Sequence, residues 1–299
     1  MNHWNEARAL VLLCGSLLLG ACGGEGASGV EEPELVTAWH DQASNIRRSE
    51  GFILNGVSDG EWTWWHPNGN TAVRGSFAMG EETGVWDEWH PNGSKKSMRT
   101  WVDGRAEGVA QEWHDNGRLS REASYLQGRA EGAFMEWNPD GSISAKGQFK
   151  GGRLDGMQQA FWSTGELKTE GAWADGSQAG MWRSWHPNGA PRSEEPYDAG
   201  ALSGVSQSWF AGGALESEIS WKDGAVVSGQ QWFENGGLRE KRAGSDGLFE
   251  RWYEGGQLEQ RGELKGDLRV GPWVFFKADG APDVEMSGVY EAGIKKAAR

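Results

Sequence analysis

Apolar and polar positions alternate along this chain in short runs, and the runs recur. Leu119, Arg121, Ala123 and Tyr125 share one parity, while Ser120, Glu122 and Ser124 share the other. Leu167, Thr169, Gly171 and Trp173 repeat the pattern, as do Leu215, Ser217, Ile219 and Trp221. Period-two alternation with an aliphatic at the start and an aromatic at the end predicts a short strand. The run before it, as in Glu61-Trp62-Thr63-Trp64-Trp65-His66, is aromatic and β-prone and stops at the turn residues Pro67-Asn68-Gly69. A second turn closes the unit, as in Val102-Asp103-Gly104 or Lys222-Asp223-Gly224. Each unit is therefore expected to be two antiparallel strands and two loops. No helical periodicity runs long enough to insert a crossover helix.

The units keep register over most of the chain. The phrase aromatic falls at Trp65, Trp89, Trp113, Trp137, Phe161, Trp185 and Trp209, a spacing of 24 residues. It continues with slips at Trp232 and Trp252 and recovers at Phe276. The glycine closing the phrase stands at Gly69, Gly93, Gly117, Gly141, Gly165, Gly189 and Gly213. Such register predicts a repeat array rather than one globular domain. A hairpin of this size is not stable alone, so the units must stack and bury their aromatic columns against each other. The fold class expected is all-β, an elongated single-sheet array of tandem antiparallel hairpins. At roughly 10 Å per repeat it would extend for about 90–100 Å, with a twist.

Three aromatic columns read first as packing positions. Trp62, Trp86, Trp182 and Trp273 precede the phrase aromatic by three residues. Trp101, Trp173 and Trp221 follow it by twelve, in a column shared with Phe77, Tyr125, Phe149 and Tyr197. Trp113 and Trp137, in the phrase column itself, are expected to cost several kcal/mol when truncated, about 3–5 for a buried large aromatic. Positions 62 and 65 have opposite parity, so aromatics leave both faces of a thin sheet unless a bulge intervenes. His66, His90, His114 and His186 also share a column, but neighbours about 10 Å apart cannot share a zinc ion. The column reads as an amphipathic lid before the turn, and no metal or cofactor site is expected.

The first residues form a separate case. Ala9 to Ala21 is apolar or small apart from Ser16, too short to span a bilayer comfortably but suited to a secretory signal. It ends in Leu19-Gly20-Ala21-Cys22, which resembles the lipobox of bacterial lipoproteins. That resemblance implies a signal peptide at 1–21 and lipidation of Cys22. A linker over 22–37 begins with Gly23-Gly24-Glu25-Gly26-Ala27-Ser28-Gly29. More than one acyl chain would anchor the protein stably. Gly23 after the cysteine leans toward the outer membrane, with the periplasmic side expected. Cys14 lies in the signal, so the mature chain has no thiol for a disulfide or a cysteine-ligated metal.

Charge narrows the partners. Forty-three acidic residues against twenty-nine basic ones give −14, with no Lys/Arg stripe along the repeats. Nucleic acid and anionic lipid headgroups are therefore disfavoured as partners of the array. No paired carboxylates recur at glycosidase spacing, and no histidine has a triad. No catalytic residue is expected, and the chain reads as a non-enzyme.

The unit Gly84-Val85-Trp86-Asp87-Glu88-Trp89-His90-Pro91-Asn92-Gly93, followed by Trp101-Val102-Asp103-Gly104, resembles the MORN-repeat variant family. The resemblance covers about residues 56 to 280. It divides the chain into a degenerate first repeat at 38–59, regular repeats at 60–239, divergent repeats at 240–285, and a cap with a basic tail at 286–299. Lys95 departs from the usual aliphatic after the turn. Pro191 and Glu195-Pro196-Tyr197 predict a short or distorted strand. Lys241-Arg242-Ala243-Gly244-Ser245-Asp246-Gly247 is a compressed junction. Many bacterial members are described as antitoxins, which suits an exported protein poorly. The expectation is a scaffolding or protein-interaction lipoprotein with an envelope protein partner. Cell-wall glycan binding through aromatic rows is the first alternative, and an antitoxin-like or immunity role implied by the resemblance is the second.

Overall fold

The computed structural model describes residues 32–41, 43 and 45–297. The signal segment, Cys22 and most of the linker lie outside these residues. Among the described residues every regular element is a β-strand. The described residues form two compact units, one running up to Leu119 and including Tyr125–Gly128, the other made of Ser120–Ser124 and the residues from Arg129 onward. In the first, strands run from Glu34–Asp41 to Arg105–Trp113, and each pairs antiparallel with the next. The first strand opens at Glu34, ahead of the degenerate repeat read from residue 38. In the second, the same hairpins run from Arg129–Trp137 to a terminal pair at Gly288–Glu291 and Ile294–Lys295.

Two turn chemistries fix the register. At the Pro-Asn-Gly end, His66 N donates to Asn70 O at 2.8 Å and Gly69 N to His66 O at 2.9 Å. The pairing slips between Trp64 and Trp65, where Ala72 is the extra residue of the opposite strand. At the other end, Asp103 and Gly104 have φ of 48° and 68°, as a two-residue type I′ turn requires. Gly104 N donates to Glu82 O of the preceding hairpin at 3.0 Å, and Gly80 and Gly128 repeat that step. Carboxylates reinforce this edge. Glu107 accepts from Gln127 N at 2.8 Å, and Asp59 from Met79 N at 3.1 Å. Glu131, Asp155 and Asp246 hold later turns in the same way.

One face carries the packed rings. Trp62 stacks on Trp64 with centroids 5.6 Å apart, and Phe77 meets Trp86 edge-on at 5.0 Å. In the second unit Trp173 meets Trp182 edge-on at 5.3 Å. The indole of Trp86 lies over Gly75, where an added Cβ would sit 2.1 Å from Cδ2. Its Nε1 donates to Ser76 O at 3.2 Å, a carbonyl beside a slip in the ladder. Trp62 and Phe52, Trp182 and Ala172, and Trp273 and Glu263 repeat that bond. Packing and polar satisfaction therefore come from one side chain.

Neighbouring volumes are matched. Where the column holds Trp62, Trp86, Trp182 or Trp273, the residue eleven before is Gly51, Gly75, Gly171 or Gly262. Where it holds Ala110 or Ser206, that residue is Arg99 or Glu195. Beside Ser206 the nearby ring bonds to it, Trp221 Nε1 donating to Ser206 Oγ at 2.8 Å. Among the described residues the largest buried cluster is Phe249, Trp273, Phe275 and Tyr290, near the C-terminal end of the second unit.

The strand expected to be short at the prolines is full length, Pro191–Asp198. Pro191 occupies its first position, where a missing N–H is tolerated. The irregularity falls on the following strand, interrupted at Ser203, whose N–H donates to Pro196 O at 2.9 Å.

Candidate functional site: the second face

Trp65 turns away from the packed rings, as its parity implied. Strand alternation puts Trp62 and Trp64 on one face and Trp65 on the other. There the guanidinium carbon of Arg47 stands 5.9 Å from the Trp39 and Trp65 centroids. Trp65, Trp89, Trp113, Trp137, Phe161, Trp185, Trp209, Trp232, Trp252 and Phe276 are all half-buried. In the column three residues earlier, by contrast, Trp62, Trp86, Phe134, Phe249 and Trp273 are buried. Trp113 and Trp137 are thus not the deepest supports of the fold.

The residue after the turn fills the gap between successive phrase aromatics. Phe161 pairs with Leu167, Trp209 with Leu215 and Trp252 with Leu258. Lys95, the departure from that aliphatic column, pairs with Trp89 and places its ammonium 5.1 Å from the Trp113 centroid. It also reaches Asp87 at 2.9 Å. A cation on an aromatic face thus replaces an aliphatic contact.

The histidine column stitches repeats together. His66 Nε2 donates to Trp89 O at 2.9 Å, His90 to Trp113 O at 2.9 Å, and His186 to Trp209 O at 2.8 Å. In the same column Tyr253 Oη donates to Phe276 O at 2.9 Å. Beside it Asn68 Nδ2 donates to Pro91 O, and Asn92 Nδ2 to Asp115 O. The turn glycines Gly69, Gly93, Gly117, Gly141, Gly165, Gly189 and Gly213 all have positive φ, from 80° to 94°. These turn residues are structural: they fix a rigid edge beside the aromatic row.

Two further rows complete the face. A polar row carries ion pairs, among them Arg183–Glu194 at 3.1 Å and Arg261–Glu250 at 3.3 Å. Beyond it lies an apolar row that the reading of the sequence missed. In the first unit Val85 and Val109 belong to it, exposed by 53% and 48%. In the second unit Met157, Met181, Val205 and Leu248 are exposed by 38–54%. Four of them face uncharged cross-strand partners, Thr100 opposite Val85, Ala172 opposite Met157, Pro196 opposite Met181 and Ser220 opposite Val205, while Leu248 faces Glu263. The row follows the glycine that opens the unit, with Glu61 after Gly60 and Ala133 after Gly132 as departures, so the same column count would have found it.

In the first unit a shallow cleft of about 300 Å³ interrupts the aromatic row, lined by Asn70, Thr71, Arg74, Trp89 and Gly93. Thr71 stands in the column where most other repeats carry a longer side chain, and Trp89 is half-buried beside it.

The MORN repeat variant family matches residues 58–78, 106–127, 178–199 and 245–265. No curated protein matches the sequence. Among solved structures, a mutant Tc holotoxin pore of Photorhabdus luminescens is similar at 10% identity and a TM-score of 0.21, over 86% of this chain and 16% of that one. A TcdB2-TccC3 structure is similar at 10% identity and a TM-score of 0.18, over 80% of this chain and 15% of that one. The chain therefore spans less than a fifth of the chains it resembles. The first matched segment runs from one strand through the Pro-Asn-Gly turn into the next. The matched segments and the hairpin geometry agree: the chain carries MORN-variant repeats at these four places within its hairpin array, and such repeats suggest a module for protein or membrane interaction.

Proposed function

We propose that this chain is a non-enzymatic cell-envelope lipoprotein whose repeats serve as a protein-interaction or scaffolding module. The observation that carries the reading is the exposed apolar row: Val85 and Val109 in one unit, Met157, Met181, Val205 and Leu248 in the other. Aligned apolar side chains on a hydrogen-bonded frame are a surface suited to a protein partner. Lipidation at Cys22 would hold the module at the outer membrane. Crosslinking in intact cells, followed by identification of the adducts, tests the reading. A reproducible envelope protein partner is expected, and its absence would count against the proposal.

The Trp89 cleft favours a second reading, binding of cell-wall glycan. A partly open indole beside a hydroxyl, an amide and a guanidinium can stack on and hydrogen-bond a sugar ring. Retention of the protein by purified cell wall, lost in Trp89→Ala, would support this reading over the first. The antitoxin-like or immunity role has only the family resemblance behind it.

A further inference from the structure

The compressed segment after Glu240 ends in a short hairpin, with Arg242 directly opposite Phe249. On the packed face beside it lies a cleft of about 530 Å³. Leu264 and Leu268 form its accessible apolar lining over the buried rings of Phe249 and Trp273, and Arg242, Arg251 and Arg269 bring three guanidinium groups to it. Arg251 is paired with Glu240 at 3.3 Å, and Arg242 with Asp267. Arg269 is different. Its guanidinium carbon lies 5.0 Å from the Trp273 and Phe275 centroids and 5.7 Å from that of Tyr290. Its polar contact is a bond to Oε1 of Gln260, a neutral side chain only 3% exposed, at 3.0 Å. Among the described residues no carboxylate lies within ion-pairing distance of it. The cleft thus holds more cations than anions in a chain of charge −14.

We infer that this cleft binds an acidic peptide segment of the partner, with a carboxylate on Arg269 and a neighbouring apolar side chain against Leu264 and Leu268. The inference rests on the reading of the chain as a protein-interaction module. A guanidinium has five donors, and Arg269 spends one on Gln260, so a carboxylate can take a two-point contact from the rest. The rings hold the guanidinium plane in place before the ligand arrives.

The test uses the full chain and two dye-labelled, end-capped peptides, Gly-Glu-Phe-Glu-Gly and Gly-Gln-Phe-Gln-Gly, titrated by fluorescence anisotropy. The acidic peptide is expected to bind at least about tenfold more tightly than the amide peptide. Arg269→Gln should abolish that preference, Arg269→Lys should restore part of it, and Arg183→Gln on the other face should leave it unchanged. Equal binding of the two peptides, no binding of the acidic one, or a preference that survives Arg269→Gln overturns the inference. The comparison on the unaltered chain decides the matter even if a variant misfolds. A crosslinked partner recovered equally with Arg269→Gln would overturn the cleft assignment and leave the module reading standing. Peptide binding that follows this pattern, with no protein partner in cells, would do the reverse.

Discussion

The indole of Trp273 lies across Gly262 so closely that a Cβ on the glycine would fall 2.2 Å from Cδ2. Trp182 and Gly171 stand in the same relation, at 2.1 Å. The ring can lean no nearer and the glycine can carry nothing more, so the two positions act as one packing unit. Gly262→Ala is expected to destabilise the chain by about 1–3 kcal/mol, as overpacking does. In a double-mutant cycle, Gly171→Ala combined with Trp182→Ala should cost less than the two losses summed. Urea melts of the four proteins measure it. Simple additivity would mean the ring and the glycine are not in contact.

Depth separates the tryptophan columns. Trp273→Ala and Trp86→Ala remove buried rings, 2% and 4% exposed, and should cost about 3–5 kcal/mol each. Trp113→Ala removes a half-buried ring under the Lys95 ammonium and should cost clearly less. Denaturant melts rank the three, and an equal loss at Trp113 would contradict the assignment of faces.

The period, the hairpins, the turns and the family were legible in the sequence because each depends on local residue chemistry. Asp103-Gly104 specifies its turn whatever surrounds it. The opposite facing of Trp62 and Trp65 was legible too, since strand parity survives the bulge. Depth was not. Alternation says which face a ring leaves from, but not that Trp86 finds a bare glycine while Trp113 finds only half cover. The hydrogen bond from His90 to Trp113 O was also hidden, because it joins two repeats through stacking geometry. The apolar row was present in the spacing of Val85, Val109, Met157, Met181 and Val205. Single exposed aliphatics carry no message until the structure sets Val85 beside Val109 in one unit and Met157, Met181 and Val205 in a row in the other.

The loop edge should behave as a ladder. Asn92 donates to Asp115 O at 2.9 Å and accepts from Ser94 N at 2.9 Å, so it joins its own turn to the next. Asn92→Ala should cost about 0.5–1.5 kcal/mol, since Ser94 N loses its acceptor while Asp115 O keeps the Ser94 hydroxyl. Hydrogen exchange should speed up at Ser94, whose amide proton loses its acceptor. Unchanged exchange there would contradict the ladder.

Tyr197 offers a pH test. Burial, and then the neighbouring Glu195 carboxylate, raise the phenol above its ordinary value near 10. A raised value in the folded state means its contribution is fully present below the unfolded value. It is lost as pH rises through the folded one. Above about pH 10 the chain should lose stability more steeply than Tyr197→Phe does. Parallel melts from pH 8 to 11 would show the two curves diverging, and coincident curves would refute it.

Anchoring is tested at the N-terminus. The mature N-terminal peptide from native membranes should begin at Cys22 and carry acyl mass by mass spectrometry. A peptide retaining Met1, with Cys22 unmodified, would remove the lipoprotein from the account.

The apolar row is the surface on which the proposed function depends. The most direct measurement places a photo-crosslinking residue singly at Val85, Met157, Met181 or Val205, and as a control at Gln127 on a turn, in living cells. The account expects adducts with an envelope protein partner from the row positions and little or none from Gln127. Adducts absent from the row, or equally abundant from Gln127, would contradict it.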